Sequence, residues 1–350
     1  MSPKISIIIP VYNVAPFITR CLDSCIHQTL TDIEIIIVDD CGSDDSIKIA
    51  TEYASKDNRI TILHHSQNSG LFQARKTGVE NARGDYCMSC DGDDFLDLEA
   101  CQIAYEAIIK TNVDIFALQL QHFPKTLKRI PPHIYQGLWT GDSMRKIFSK
   151  GRDAQSLCNK IIATPLLQSA YEALHFVKKP LLFCEDGLVL LVASFFAKSY
   201  FGQNKVIYYY CNNEQSMTRQ NSPEILKKKY DNLEYILEIL QHLKKSFPQY
   251  SSFIEDYGKK IASALILEAR LFGREAFLQG YKILKKHHFT KKPLWDDSYI
   301  QAVGLSLRYH FRWQNLARLI ACILGLKKLA TLIKQANAKK PNGGGGQATT

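Results

Sequence analysis

Apolar residues run almost unbroken at the start of the chain, Ile5-Ser6-Ile7-Ile8-Ile9, and again over Ile33-Glu34-Ile35-Ile36-Ile37-Val38. Such β-branched runs predict strands buried on both faces. Pro10 is expected to end the first strand, since proline cannot donate to a sheet ladder. Between the two runs, Phe17, Cys21, Leu22, Cys25 and Ile26 share one helical face and predict a helix over Pro16 to Gln28. The alternation continues with a helix over Asp45 to Lys56, a strand at Ile60 to His64, a helix from Gly70 to Ala82 and a strand at Asp85 to Ser89. Strands alternating with helices predict a parallel sheet covered on both faces, with ligands beyond the carboxyl ends of its strands. Residues 140–222 read as mixed loops, helices and short strands, with one helix over Asp186 to Lys198. Residues 223–290 read as helical, with Leu226, Leu233, Ile236, Leu237 and Leu240 at helical spacing.

A chain of 350 residues, 46% hydrophobic, can fill one large core plus an appendage, or two domains. Charge changes the picture only at one end. Residues 282–340 hold 13 Lys/Arg against 2 Asp/Glu, a net of +11, which leaves the rest of the chain at about −1. Within residues 305–334, Leu316, Leu319, Ile320, Ile323 and Leu324 recur at helical spacing among Arg308, Arg312, Lys327 and Lys328, beside Trp313. That pattern predicts docking on an anionic membrane surface, or a helix packed on the rest of the protein with a solvated basic face. The longest apolar run there, Leu319 to Leu326, is far short of the ~20 residues of a membrane span. The basic end carries few aromatics and no recognition motif, so no nucleic acid is expected as a partner. Ten scattered cysteines and an N-terminus without a secretory pattern suggest a cytoplasmic protein, peripheral on the inner face of the cell membrane.

The sharpest chemical signal is Asp91-Gly92-Asp93-Asp94, directly after the fourth predicted strand. Three carboxylates in four residues repel one another, and burying them adds a desolvation cost. A divalent cation removes that cost, and an all-oxygen donor set suits Mn²⁺ or Mg²⁺ rather than zinc. A solvated acidic turn or a helix cap is the alternative. Asp39 and Asp40 close the second strand, and Pro10, Tyr12 and Asn13 follow the first, so three strand ends converge. The chain has neither G-x-G-x-x-G nor G-x-x-x-x-G-K-[ST] to cradle a diphosphate, and a cation would have to neutralise one. Cys87 and Cys90 form a C-x-x-C with no second pair and no histidine, so no zinc site is expected from it.

Four stretches together carry a resemblance. They are Ser6-Ile7-Ile8-Ile9-Pro10-Val11-Tyr12-Asn13; Glu34 to Val38 followed by Asp39-Asp40-Cys41-Gly42-Ser43-Asp44-Asp45-Ser46; Asn68-Ser69-Gly70-Leu71-Phe72-Gln73-Ala74-Arg75; and Gly84-Asp85-Tyr86 leading to Asp91-Gly92-Asp93-Asp94. Weaker matches are Cys158-Asn159-Lys160, Glu185-Asp186 and Ser216-Met217-Thr218. In these the chain resembles the inverting glycosyltransferases of family 2. The phrase Val38-Asp39-Asp40-Cys41-Gly42-Ser43 resembles bacterial lipooligosaccharide galactosyltransferases that form β-1,3 links.

The resemblance implies an α/β GT-A fold, Rossmann-like, with a mostly parallel sheet, helices on both faces and a helical basic C-terminal region. It implies a catalytic domain over residues 1–222, of which 1–100 bind nucleotide and 101–222 meet the acceptor. Residues 223–340 are then the helical C-terminal region and 341–350 a flexible tail. Pro10 and Tyr12 would lie against the base of a UDP-sugar, Asp40 would accept from the uracil N–H, and Arg75 would help hold the nucleotide. Asp91 would face the ribose or sugar, while Asp93 and Asp94 bind Mn²⁺ or Mg²⁺. Asp186 would be the general base, or the cap of its helix, with Glu185 as the alternative base. Lys160 would touch phosphate or be a surface lysine. The family pattern is usually Asp-Asp-Gly-Ser, and Cys41 lengthens that loop by one residue. The implied reaction is metal-dependent transfer of galactose from UDP-galactose to a lipooligosaccharide or other glycan. UDP-GlcNAc, UDP-GalNAc or UDP-Glc are the alternative donors, and a nucleotide-sugar-binding module without turnover is the non-enzyme alternative.

Overall fold

A computed structural model describes residues 2–125, 131–151, 155–213, 222–269 and 274–287, with isolated positions between 303 and 320. Ser216-Met217-Thr218, nearly all of the basic stretch 305–334 and the tail 341–350 lie outside the described residues. The chain forms two compact units, Met1–Ile261 and Ala262–Thr350.

The first unit opens with β1 (Ile5–Val11), α1 (Ala15–Ile26), β2 (Ile33–Asp39), α2 (Ser46–Ala54), β3 (Ile60–His64), α3 (Leu71–Glu80) and β4 (Tyr86–Ser89). The strands lie in the order β3-β2-β1-β4, all parallel, with Ile5 opposite both Ile33 and Tyr86. All seven residues of β1 are buried. Ile5, Ile7 and Ile9 join one core with Ile18, Leu22 and Cys25 of α1 and Ala50 of α2. On the opposite face Ile8 meets α3, so closely that a Cβ added at Gly78 would lie 2.4 Å from its Cγ2. Two-residue alternation thus feeds two cores, and this is why the strand shows no polar side.

Pro10 does not end β1, which runs on to Val11 with Pro10 opposite Val38. The Ile8 carbonyl accepts from Cys90 N–H on the β4 side. Residue 10 points the same way, where β4 has already ended at Ser89, so the missing proline N–H leaves no strand acceptor unpaired.

The chain continues through β5 (Phe95–Leu96), α4 (Ala100–Thr111), β6 (Ile115–Phe123), β7 (Gly137–Thr140), α5 (Gly141–Lys150), β8 (Lys160–Ala163), α6 (Thr164–Ala173), α7 (Glu185–Phe196) and β9 (Ser199–Cys211). These strands extend the sheet as β4-β8-β6-β9-β5, with β7 also on β9. β8 is antiparallel to both β4 and β6, whereas β6 and β9 are parallel. The parallel sheet expected from the first four strands is thus β3-β2-β1-β4, and the antiparallel pairings come from β5, β7 and β8. Next come α8 (Pro223–Ser246), capped by the Ser222 hydroxyl accepting from Ile225 N–H, and α9 (Ser251–Ala269). In the second unit, α10 spans Arg274–Lys286. Among the described residues, no helix is long and apolar enough to cross a membrane.

Candidate active site

Because β1, β2, β3 and β4 are parallel, the loops that follow them open on one edge of the sheet. Beyond β1, Tyr12 is 49% exposed, so its ring is available as a flat apolar face, and Pro10 is buried within the strand. The loop after β2 is stapled back to this turn. Ser43 N–H donates to Asn13 Oδ1 at 2.7 Å, Ala15 N–H to Asp44 Oδ2 at 2.8 Å, and Val14 N–H to the Ser46 hydroxyl at 2.9 Å. The extra residue, Cys41, adopts a left-handed φ of 57° and donates its thiol to the His65 carbonyl. Asp44 and Ser46 thus hold the start of α1.

Asp40, expected at the nucleobase, is buried and accepts hydrogen bonds on both oxygens. Its Oδ1 takes the Ser69 N–H at 2.8 Å and His65 Nδ1 at 2.7 Å, while Oδ2 takes the Gly70 N–H at 2.8 Å. It ties the end of β2 to the entry of α3. Its neighbour Asp39 keeps the more open edge, with His64 Nδ1 at 2.9 Å and side-chain exposure of 14%.

Arg75 lies one turn into α3 and is 2% exposed. Its Nη1 donates to Asp186 Oδ1 at 2.5 Å and its Nη2 to Asp91 Oδ1 at 2.7 Å, and Glu185 Oε1 lies 3.6 Å from Nη1. The structure thus turns Arg75 inward, as a bridge between the carboxylate expected to face the ribose or sugar and the one expected to be the base. Removing one partner of a buried pair strands the other charge. Arg75→Met should therefore lower unfolding free energy by about 3–5 kcal/mol, read as a shifted urea midpoint. A change within ~0.5 kcal/mol, as for an ordinary surface site, would contradict this bridging role.

After β4 the acidic cluster divides by environment. The Asp91 carboxylate meets Arg75 on one oxygen and the Cys158 thiol, 3.3 Å away, on the other. A Cβ at Gly92 would lie 2.9 Å from Val14, so a glycine lets the turn pack down on the β1 loop. Asp93 is half-buried, and its Oδ2 accepts from Asn213 Nδ2 at 2.9 Å. Burial, and next the Asp91 charge, push its carboxyl above the usual range. A hard oxygen donor whose ionised form is disfavoured by its surroundings fits Mn²⁺ or Mg²⁺.

Asp94 does not share that position. It is 1% exposed, with Oδ2 taking the Tyr208 hydroxyl and Oδ1 the Cys211 N–H, each at 2.6 Å. Burial, then Asp91 and Asp93, push its carboxyl up to about 8. Tyr208 also accepts from Asp91 N–H at 3.1 Å, so a single β9 hydroxyl braces both ends of the turn. Sequence reasoning missed Tyr208 and Asn213, and the three consecutive tyrosines at 208–210 were the available signal.

Asp186 enters from the first turn of α7, whose N-cap position is Cys184, so Asp186 is not the cap. Its Oδ2 takes the Leu157 N–H at 2.9 Å. Burial pushes the Asp186 carboxyl above its usual range, against the pull of Arg75. Lys160 is neither exposed nor turned to the opening. It is buried, donates to the Ser156 carbonyl at 2.6 Å and Asn159 Oδ1 at 2.9 Å, and burial lowers its pKa to about 8. The structure therefore brings Asp91, Arg75, Glu185 and Asp186 together, with Asp93 and Tyr12 on the same edge. Asp40, Lys160 and Asp94 are packed into its foundations.

Residues 6–163 match the family model for glycosyl transferase family 2. Over 115 residues the chain is 47% identical to the uncharacterized glycosyltransferase EpsJ of Bacillus subtilis, a match covering 33% of each chain. It is 27% identical to the putative glycosyltransferase EpsH of the same organism over 273 residues, 77% of this chain and 76% of that one. Among solved structures, TarS 1–349 of S. aureus in complex with UDP-GlcNAc superposes with a TM-score of 0.54 at 19% identity, covering 84% of this chain and 95% of that one. That likeness is one of fold, the GT-A arrangement implied by the motifs. Residues 6–163, whose strand ends build this edge, thus form a glycosyl transferase family 2 domain.

Proposed function

We propose that the protein transfers a hexose from a UDP-sugar to a glycan acceptor with inversion at the anomeric carbon. The observation that carries the reading is the Asp91–Arg75–Asp186 bridge at the shared strand edge, with Asp93 in the same turn as Asp91. Tyr12 offers its face to the uracil, and Asp39 rather than Asp40 is the carboxylate open to the base. Asp91 faces the donor. Asp186 takes the proton of the attacking acceptor hydroxyl, using the second lone pair that each carboxylate oxygen retains. Arg75 and the Leu157 N–H fix the orientation of that carboxylate, and its place in the first turn of α7 favours the ionised form. Asp93 is the residue that would hold Mn²⁺ or Mg²⁺, and neutralisation of the leaving diphosphate is the chemistry such an ion supplies. Asp94 then acts by holding the turn through Tyr208 and Cys211.

For the donor we favour UDP-galactose, and for the product a β-1,3 link on a lipooligosaccharide or related glycan, supported by the loop phrase around Cys41. UDP-GlcNAc is the second reading, since it is the ligand named for the TarS complex that shares this fold. The basic segment 305–334 supports work at the cytoplasmic face of a membrane with anionic headgroups. Measuring UDP release from UDP-Gal, UDP-Glc, UDP-GlcNAc and UDP-GalNAc with Mn²⁺ and simple hexosamine acceptors separates these readings. No release with any of the four would overturn the transferase reading itself.

The pH profile should expose the base. Burial, then the neighbouring Asp186, push the Glu185 carboxyl up to about 7, and two such adjacent groups titrate as a pair. The base must be ionised, and burial raises the Asp186 carboxyl, so kcat/KM should fall on the acid side at a pH above that of an ordinary aspartate. Glu185→Gln removes one of the repelling charges and should move that limb to lower pH with turnover retained. Lost turnover in this variant would instead make Glu185 the base. Stability runs the other way. The folded value lies above the ordinary 4.5, so the contribution present below 4.5 is lost as pH rises through about 7.

A further inference from the structure

Three cysteines meet directly behind the acidic turn. Cys21 and Cys25 are four residues apart on α1, and Cys90 is the residue between β4 and Asp91. All three are buried, and their sulfurs lie within 4.8 Å of one another. The pairing is not the C-x-x-C of the sequence. Cys87 points elsewhere, with its Sγ 3.3 Å from the Thr164 hydroxyl. A fourth donor atom faces the same point: the Asp91 main-chain oxygen is 3.6 Å from Cys21 Sγ and 3.8 Å from Cys90 Sγ.

Those separations are the argument. Four ligands arranged tetrahedrally around zinc, with Zn–S of about 2.3 Å and Zn–O of about 2.1 Å, have S···S edges of about 3.8 Å and S···O edges of about 3.6 Å. The Cys21–Cys90 sulfurs are 3.7 Å apart. Cys21, Cys90 and the Asp91 oxygen already form one face of such a tetrahedron. A packed core of small apolar residues would need no such convergence of sulfurs on a main-chain oxygen.

We infer that Cys21, Cys25, Cys90 and the Asp91 carbonyl form a structural site for one thiophilic d¹⁰ cation, Zn²⁺ or its analogue Cd²⁺. Thiolates are the ligands, so loading releases the thiol protons to solvent and strengthens with pH. Burial of all three sulfurs means that the ion enters during folding or on opening of α1, and then resists exchange. The consequence for the neighbouring site is mechanical. The ion would fix the main chain of Asp91, the residue whose carboxylate holds Arg75.

The test uses the full chain, refolded under reducing conditions with Cd²⁺ as probe. The expected result is one bound Cd²⁺ per chain, a near-ultraviolet thiolate-to-cadmium charge-transfer band and a raised Tm. The triple variant C21A/C25A/C90A should lose the ion and the band, while Cys41→Ala and Cys87→Ala keep both. Should the triple variant fail to fold, Cys25→Ala alone decides. Loss of a direct ligand should weaken Cd²⁺ binding by more than the about 10–100-fold that loss of an outer-shell partner costs. Equal binding by the variants, or no band from the refolded wild type, would overturn the site.

Discussion

Asp186→Asn is expected to leave UDP binding near normal and to lower turnover by about 10²–10⁴-fold, the usual worth of a positioned base. The amide keeps the size of the carboxyl group, and its one oxygen can still accept from Arg75, while its NH2 cannot accept from the Leu157 N–H that bonds the other Asp186 oxygen. It cannot take a proton at working pH. The two partners also predict a side effect. Neutralising one end of the bridge leaves the Arg75 guanidinium with Asp91 and Glu185, so the loss of stability should be smaller than in Arg75→Met. Isothermal titration with UDP beside steady-state kinetics separates the two outcomes. Full turnover in the Asn variant would remove Asp186 from the proton transfer.

Asp93→Ala should abolish both transfer and the metal-dependent part of UDP binding. The neighbouring Asp94 is no substitute, because both its oxygens are committed to Tyr208 and Cys211 deep in the turn. Asp94→Asn should behave differently. At neutral pH burial already favours its protonated form, so the amide replaces a group close to neutral, and Mn²⁺ titration against UDP affinity should show a modest change. If Asp94→Asn lost the metal response and Asp93→Ala kept it, the two roles would be exchanged.

The first half of the fold was legible because its strands are buried on both faces and written in isoleucine. β9 was not, since Gly202-Gln203-Asn204-Lys205 interrupts its apolar residues and it pairs with three different strands. The polar interruption obscures any period, and its pairing with β6 is broken by register shifts. At the site, motif spacing identified which carboxylates converge. It could not say which way each one faces. Asp94 is taken by a tyrosine 114 positions away, and Arg75 by an aspartate 111 positions away. Such partners are fixed by sheet order, which no local pattern carries. The same holds for Lys160, whose residue type suggested a phosphate contact and whose position under the loop made it a brace. Asp39 and Asp40 differ only by the phase of a strand end, and the turn at Ser69-Gly70 claimed the second of them.

The Arg75 bridge also limits how this sequence can drift over generations. Asp91 and Asp186 lean on one buried guanidinium, so a descendant that loses Arg75 alone inherits several stranded carboxylates, and one that loses a carboxylate unbalances the rest. A passage to an uncharged version of the same scaffold needs two or more substitutions to arrive together. Lineages derived from this chain should therefore keep or lose positions 75, 91 and 186 as a set, even where they trade one sugar for another.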